Sequence, residues 1–138
     1  MHVFHGCAAD AAERIRKEGV IVEKSMGGNW GAAFYVAENA RETHGLAQCG
    51  DSEPGQRFVV LEFELDRSGV HGAVLDFRSS SDWDTWVEVT NGLHCSQDGF
   101  AAEVARRGIA AICDYGGCGG YAVFVPRVLT LLGEHKTD

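Results

Sequence analysis

The chain has no continuous apolar run of the ~18 residues that a membrane-spanning helix needs, so no membrane span is expected. Its opening, Met1-His2-Val3-Phe4-His5, lacks a basic stretch followed by an apolar one, and no signal peptide is expected either. Clustered Lys and Arg are also missing. With 12 basic against 20 acidic residues the net charge is −8, which argues against binding along a nucleic-acid backbone. A small anionic ligand, held by main-chain amides and an arginine or two, stays compatible with that balance. The five cysteines (Cys7, Cys49, Cys95, Cys113, Cys118) are odd in number and share no repeated spacing. They read as reduced thiols of a cytoplasmic protein rather than as a disulfide framework. Cys113 and Cys118 have no second close pair of Cys or His beside them, so no metal is expected. The glycine-dense loop Gly116-Gly117-Cys118-Gly119-Gly120 lacks the following Lys of a phosphate-binding loop.

What is present suits one domain over residues 1–138, with 45% hydrophobic and 23% charged residues. Val3-Phe4-His5 reads as a short strand. Ala8, Ala11, Ala12 and Ile15 fall at helical spacing up to a stop at Gly19. Val20-Ile21-Val22 is β-branched and strand-like, and 33–36 is a further strand leading into a helix over 37–47. The clearest strand is Phe58 to Leu65, where Val59, Leu61, Phe63 and Leu65 alternate with Phe58, Val60, Glu62 and Glu64. Strands are also expected over 73–77, 109–113, 121–125 and 128–132. Helices are expected over 81–90, with Trp83, Trp86 and Val87 facing inward, and over 100–107. Short mixed elements, too close together for right-handed crossovers throughout, favour an α+β fold with a mostly antiparallel sheet.

Two constellations carry chemistry. One is His5-Gly6-Cys7, directly after the apolar Val3-Phe4. The other is Gly31-Ala32-Ala33-Phe34-Tyr35-Val36. A His-Gly step on one strand and an aromatic-Tyr-aliphatic step on another can clamp a flat heteroaromatic ring. Together with the closing Tyr121-Ala122-Val123-Phe124-Val125-Pro126, they give a chain that resembles the ADP-ribosyltransferase superfamily. The similar branch is the one with a His-Tyr pair, typified by diphtheria-toxin-like enzymes and poly-ADP-ribose polymerases.

The resemblance implies a split β-sandwich of two small, mostly antiparallel sheets with flanking helices, and NAD as substrate. His5 then matches the histidine on the adenosine-side ribose. Gly6 matches the glycine whose amide and carbonyl pair with the nicotinamide carboxamide, and Cys7 stands where Thr or Ser is common. Tyr35 matches the tyrosine that stacks on the nicotinamide ring, and the loop carrying Trp30 would lie over the ligand. Eight residues after Tyr35, Thr43 keeps the hydroxyl of a carboxamide-binding Ser. Three further on, Leu46 replaces a second stacking tyrosine, with His44 as the alternative if the register slips. The family's Glu, just before the aromatic of the closing strand, is replaced by Gly120.

Breaking the nicotinamide–ribose bond builds positive charge on the sugar, and a carboxylate at that place stabilises it, as in glycoside cleavage. Asp114, at the start of the loop before the closing strand, is the candidate stand-in. The expected activity is mono-ADP-ribosyl transfer or NAD glycohydrolysis, with a protein or small-molecule acceptor favoured over nucleic acid by the acidic charge. A different class, supported by Gly120, is a module of the same fold that binds NAD or a partner without turnover. A third is thiol chemistry, in which His5 activates Cys7 from the same side of a strand.

Overall fold

The computed structural model describes residues 1–22, 33–43, 57–93, 97–113 and 120–135. In chain order these form β1 (His2–Ala8), α1 (Ala9–Glu18), β2 (Phe34–Ala37), a 3-10 turn (Ala40–Glu42), β3 (Phe58–Leu65) and β4 (Ala73–Asp76). There follow α2 (Ser80–Thr90), α3 (Phe100–Arg106), β5 (Ile109–Cys113), β6 (Gly120–Val123), a second 3-10 turn (Pro126–Val128) and β7 (Leu129–Glu134). No helix among the described residues is long and apolar enough to cross a membrane.

The strands hydrogen-bond in the order β4-β5-β6-β2-β1-β3-β7. Only β4 and β5 run parallel; every other pairing is antiparallel. The α+β class and the mostly antiparallel sheet therefore hold. The expected pair of small sheets is corrected to one seven-stranded mixed sheet. The physical reason is a narrow join. β1 follows β3 from His2↔Glu64 to Ala8↔Phe58, and β2 follows β6 from Phe34↔Val123 to Ala37↔Gly120. Between β1 and β2 a single register pair, Phe4↔Ala37, connects the two halves. Each strand keeps the twist of the ladder it shares more fully, so the two diverge beyond that point.

Alternation along the strands sorts the core into two clusters on opposite faces. On one, α1 lays Ala12 and Ile15 over Val3, Val59, Leu61 and Phe63, with Phe34, Val36, Tyr121 and Val123 in the same cluster. On the other, α2 and α3 bring Trp86, Phe100 and Val104 against Ile112 and Ala122, with Tyr35 and Phe124 packed at its margin. α1 stops where the sequence placed the stop: Gly19 has φ 80°, and its N–H donates to the Ile15 carbonyl.

Three local expectations change. Val20-Ile21-Val22 is not a strand; Val20 and Val22 pack on the first cluster with no ladder partner, so burial overrides β-propensity. Of the helix expected over 37–47, the described residues are β2's last residue, a bend at 38–39, the 3-10 turn and Thr43, which is helical. Asn39 opens the turn, its side chain accepting from the Arg41 amide, and 44–47 lie outside the described residues. On α2 the inward stripe is narrower than expected: Trp86 is 2% exposed, but Val87 is 38% exposed. Trp86 also donates from Nε1 to the Leu93 carbonyl at 2.9 Å. Trp86→Ala is expected to cost about 3–5 kcal/mol, and Val87→Ala less than about 0.5 kcal/mol. Urea denaturation of both variants checks which side of α2 is packed.

Candidate functional site

The place where β1 and β2 part is built by the main chain. The Leu65 amide donates to the Met1 carbonyl and the Ala9 amide to the Arg57 carbonyl, so odd-numbered residues at both ends of β1 address β3. By alternation, Phe4 and Gly6 turn their amides and carbonyls toward β2. Phe4 pairs with Ala37, and a continued ladder would pair Gly6 with Tyr35. It does not continue. The Tyr35 carbonyl accepts instead from Nδ1 of His5 at 2.7 Å. Gly6, which is buried, has no β2 residue in register.

A carbonyl only accepts, so Nδ1 of His5 carries the proton in this assignment and the ring is neutral. Burial pushes its pKa down from 6.5 to about 4, against a smaller upward pull from the bond to Tyr35. The ring stacks on Phe34 with centroids 4.1 Å apart and planes 27° apart. Phe34 belongs to the α1-side cluster and Tyr35 packs against the other one. The imidazole and the phenol thus leave the seam on opposite faces, whereas the sequence reading set both rings in one slot. What joins residues 5 and 35 is the bond to the main-chain carbonyl.

On the Tyr35 face, Gly6, Ala37 and Gly120 line up, because register partners share a face and residues two apart repeat it. Thr43 is brought onto Gly6 from the 3-10 turn. A Cβ on Gly6 would stand 2.9 Å from both Cβ and the carbonyl oxygen of Thr43, and 2.6 Å from Cζ of Phe58. Thr43 is fully buried, and its hydroxyl donates to the Ala40 carbonyl at 2.6 Å, leaving the oxygen's lone pairs to accept. Gly120 differs: among the described residues the nearest atom to a built Cβ is the Val36 carbonyl oxygen, at 4.0 Å. Gly6, Tyr35, Thr43 and Gly120 therefore share one face, while Trp30, His44, Leu46 and Asp114 lie outside the described residues.

Cys7 is half-buried and packs beside the first cluster. Burial pushes its thiol up to about 11, and the charges of Arg14 and Arg16 offset that only in part. A protonated thiol next to a neutral, committed imidazole lacks the thiolate that nucleophilic chemistry requires.

Sequence reading missed two features. One is Phe58, whose ring reaches Gly6 only because β3 registers on β1. The other is the ion network beyond the end of β2, on the first cluster's face. Arg78 bridges Glu38 (2.6 Å) and Asp76 (2.9 Å), and Tyr121 donates its hydroxyl to Glu38 at 3.0 Å. The Arg78 guanidinium holds both carboxyls below their usual range, and burial raises the Tyr121 phenol. Comparison of the chain with family models, curated proteins and solved structures gives no match.

Two outcomes are expected. Gly6→Ala should destabilise the fold by about 1–3 kcal/mol through overlap with Phe58 and Thr43, measured as a shift in denaturation midpoint at constant slope. His5 takes up its proton less readily folded than unfolded, so its contribution is complete above about 6.5 and is lost as pH falls through about 4. The loss is on the order of 2–3 kcal/mol. His5→Gln should flatten the stability profile over that window; equal slopes in both proteins would refute the assignment.

Proposed function

We propose that the chain binds NAD at the β1–β2 seam and breaks its nicotinamide–ribose bond, as a mono-ADP-ribosyltransferase or NAD glycohydrolase. The observation that carries this reading is the convergence, on one face, of the unladdered Gly6 edge, the Thr43 hydroxyl, Tyr35 and Gly120. An amide N–H and a carbonyl side by side complement a carboxamide, which offers one acceptor and two donors. The Thr43 oxygen adds a further acceptor, and Tyr35 a ring on which the pyridinium can stack. His5, stacked on Phe34 on the opposite face, stays outside this slot and acts on it only through its bond to the Tyr35 carbonyl. The net charge of −8 favours a protein or small-molecule acceptor over nucleic acid. The odd, unpatterned cysteines favour a cytoplasmic setting.

Turnover is the weaker half of the reading. Removing one preorganised charge-stabilising group typically costs about 3–4 kcal/mol, roughly a hundred- to a thousandfold in rate. Gly120 supplies none, and Asp114 is the residue assigned to stand in. The same glycine favours a second reading, a module that holds NAD without cleaving it.

Nicotinamide release from NAD, followed by chromatography, separates the two. Gly120→Glu places a carboxylate on the Tyr35 face without crowding the described residues. It is expected to keep the melting temperature and raise release by about a hundredfold. If calorimetry finds that neither NAD nor nicotinamide binds the wild-type chain, both readings are lost.

A further inference from the structure

We infer that the groove between α2 and the β4 edge of the sheet holds a linear ω-amino carboxylate, a short aliphatic chain with an ammonium at one end and a carboxylate at the other. This does not rest on the NAD reading. The groove contains a cavity of about 200 Å³. Leu75 of β4 and Ile109 of β5 line it from the sheet, and Thr85, Trp86 and Val89 line it from α2. Asp82 and Arg107 complete the lining. That volume lies below the range usual for drug-sized ligands and suits a short chain rather than a nucleotide. α2 runs back along β4. Asp82, in its first turn, accepts from the Asp76 amide at the end of β4 at 2.8 Å. The Val89 carbonyl, in its last turn, accepts from Nη2 of Arg107 at 3.4 Å, just before β5 begins. Asp82, Thr85, Trp86 and Val89 stand three or four residues apart and share one side of the helix. Asp82 and Val89 are then ~10 Å apart along its axis. A carboxylate and a guanidinium therefore close opposite ends of one trough.

The two ends carry opposite unmatched charge. Arg106 and Arg107 share the single carboxylate of Glu103, at 2.5 and 2.6 Å, which leaves one positive charge over. Nε and Nη2 of Arg107 are engaged, and Nη1 has no partner among the described residues. At the other end, Oδ2 of Asp82 accepts a main-chain amide, but Asp82 is in no ion pair among the described residues. Between them the lining is mainly apolar, and Val89 stands 48% exposed. A methylene chain laid there removes apolar surface of Leu75 and Val89 from water. Its ammonium meets Asp82 and its carboxylate meets Arg107, each through a charge-assisted hydrogen bond.

The test is a titration with ε-aminocaproate, caproate and hexylamine, read by calorimetry and by nuclear magnetic resonance. ε-Aminocaproate is expected to bind wild type and to shift the Thr85, Val89 and Ile109 amides and the Trp86 indole. Caproate and hexylamine each lack one charged end and should bind about tenfold more weakly. Asp82→Asn keeps an acceptor for the Asp76 amide while removing the charge. It should raise the Kd of ε-aminocaproate about tenfold without raising that of caproate. Arg107→Gln should weaken ε-aminocaproate and caproate alike and leave hexylamine unchanged. Should Arg107→Gln not fold, the three ligands on wild type and on Asp82→Asn decide. The inference is overturned if millimolar ε-aminocaproate shifts none of these resonances. Equal affinity for ε-aminocaproate and caproate, or an unchanged Kd in Asp82→Asn, overturns it as well.

Discussion

The hydrogen bond from Nδ1 of His5 to the Tyr35 carbonyl governs the centre of this molecule. It joins the half-buried Tyr35 carbonyl to β1 where the β1–β2 ladder has ended. With it, β1 and β2 stay joined although their ladder has a single register pair, and the sheet remains one hydrogen-bonded body. The bond also decides the state of the imidazole. A ring stacked on Phe34 and bound to a carbonyl is held neutral, because burial disfavours its charged form more than the carbonyl favours it. Protonation would put an uncompensated cation against the α1-side core, so the same contact links the end of the β1–β2 ladder to a pH-dependent fold.

The seam is braced from both sides. On the α1 face, Arg78 ties Glu38, the residue after β2, to Asp76 at the end of β4, and the buried Tyr121 adds its hydroxyl. That network fixes the end of β2 one residue past Ala37, the only β2 residue registered on β1. On the other face, the Trp86, Phe100 and Phe77 cluster packs against Ala122, which registers on Tyr35. β2 is short, four residues, yet it is anchored beneath by charge and above by aromatic packing. A strand held so firmly to β6 does not follow β1's twist, and the ladder ends after one pair.

How much of this was legible follows from the range of each signal. β3 was read to the residue, because an apolar run that turns to alternation over Leu61–Leu65 is a local pattern. β5, a short apolar run closed by Gly108 on one side, was read to the residue as well. β1 was read too short, since His5-Gly6-Cys7 breaks the apolar run, and its continuation depends on pairing with β3. His5, Gly6, Tyr35 and Thr43 were singled out together; the fold sets Gly6, Tyr35 and Thr43 on one face and turns the His5 ring to the other. The face to which each ring turns was not readable, because it depends on where the β1–β2 ladder stops, and no residue type marks that point. Phe58 was hidden for a related reason. Its neighbour Gly6 lies far back in the chain, and only the register Ala8↔Phe58 makes them adjacent.

The two glycines on the Tyr35 face have opposite physical standing. Gly6 is demanded by the fold: any Cβ there would overlap Phe58 and Thr43, so its identity is explained before a ligand is considered. Gly120 is under no such demand from the described residues. Its φ lies outside the left-handed range, and a Cβ would meet nothing nearer than the Val36 carbonyl oxygen at 4.0 Å. A side chain at position 120 is therefore compatible with the described fold, and the lack of one is a chemical property rather than a conformational one. Binding and cleavage then separate along the sequence. On the proposed NAD reading, the groups for a carboxamide and a ring would come from β1, β2 and the 3-10 turn, and Gly120 on β6 would add nothing for a sugar cation. On the same reading, the room at position 120 is what would let one substitution change turnover without changing the described fold.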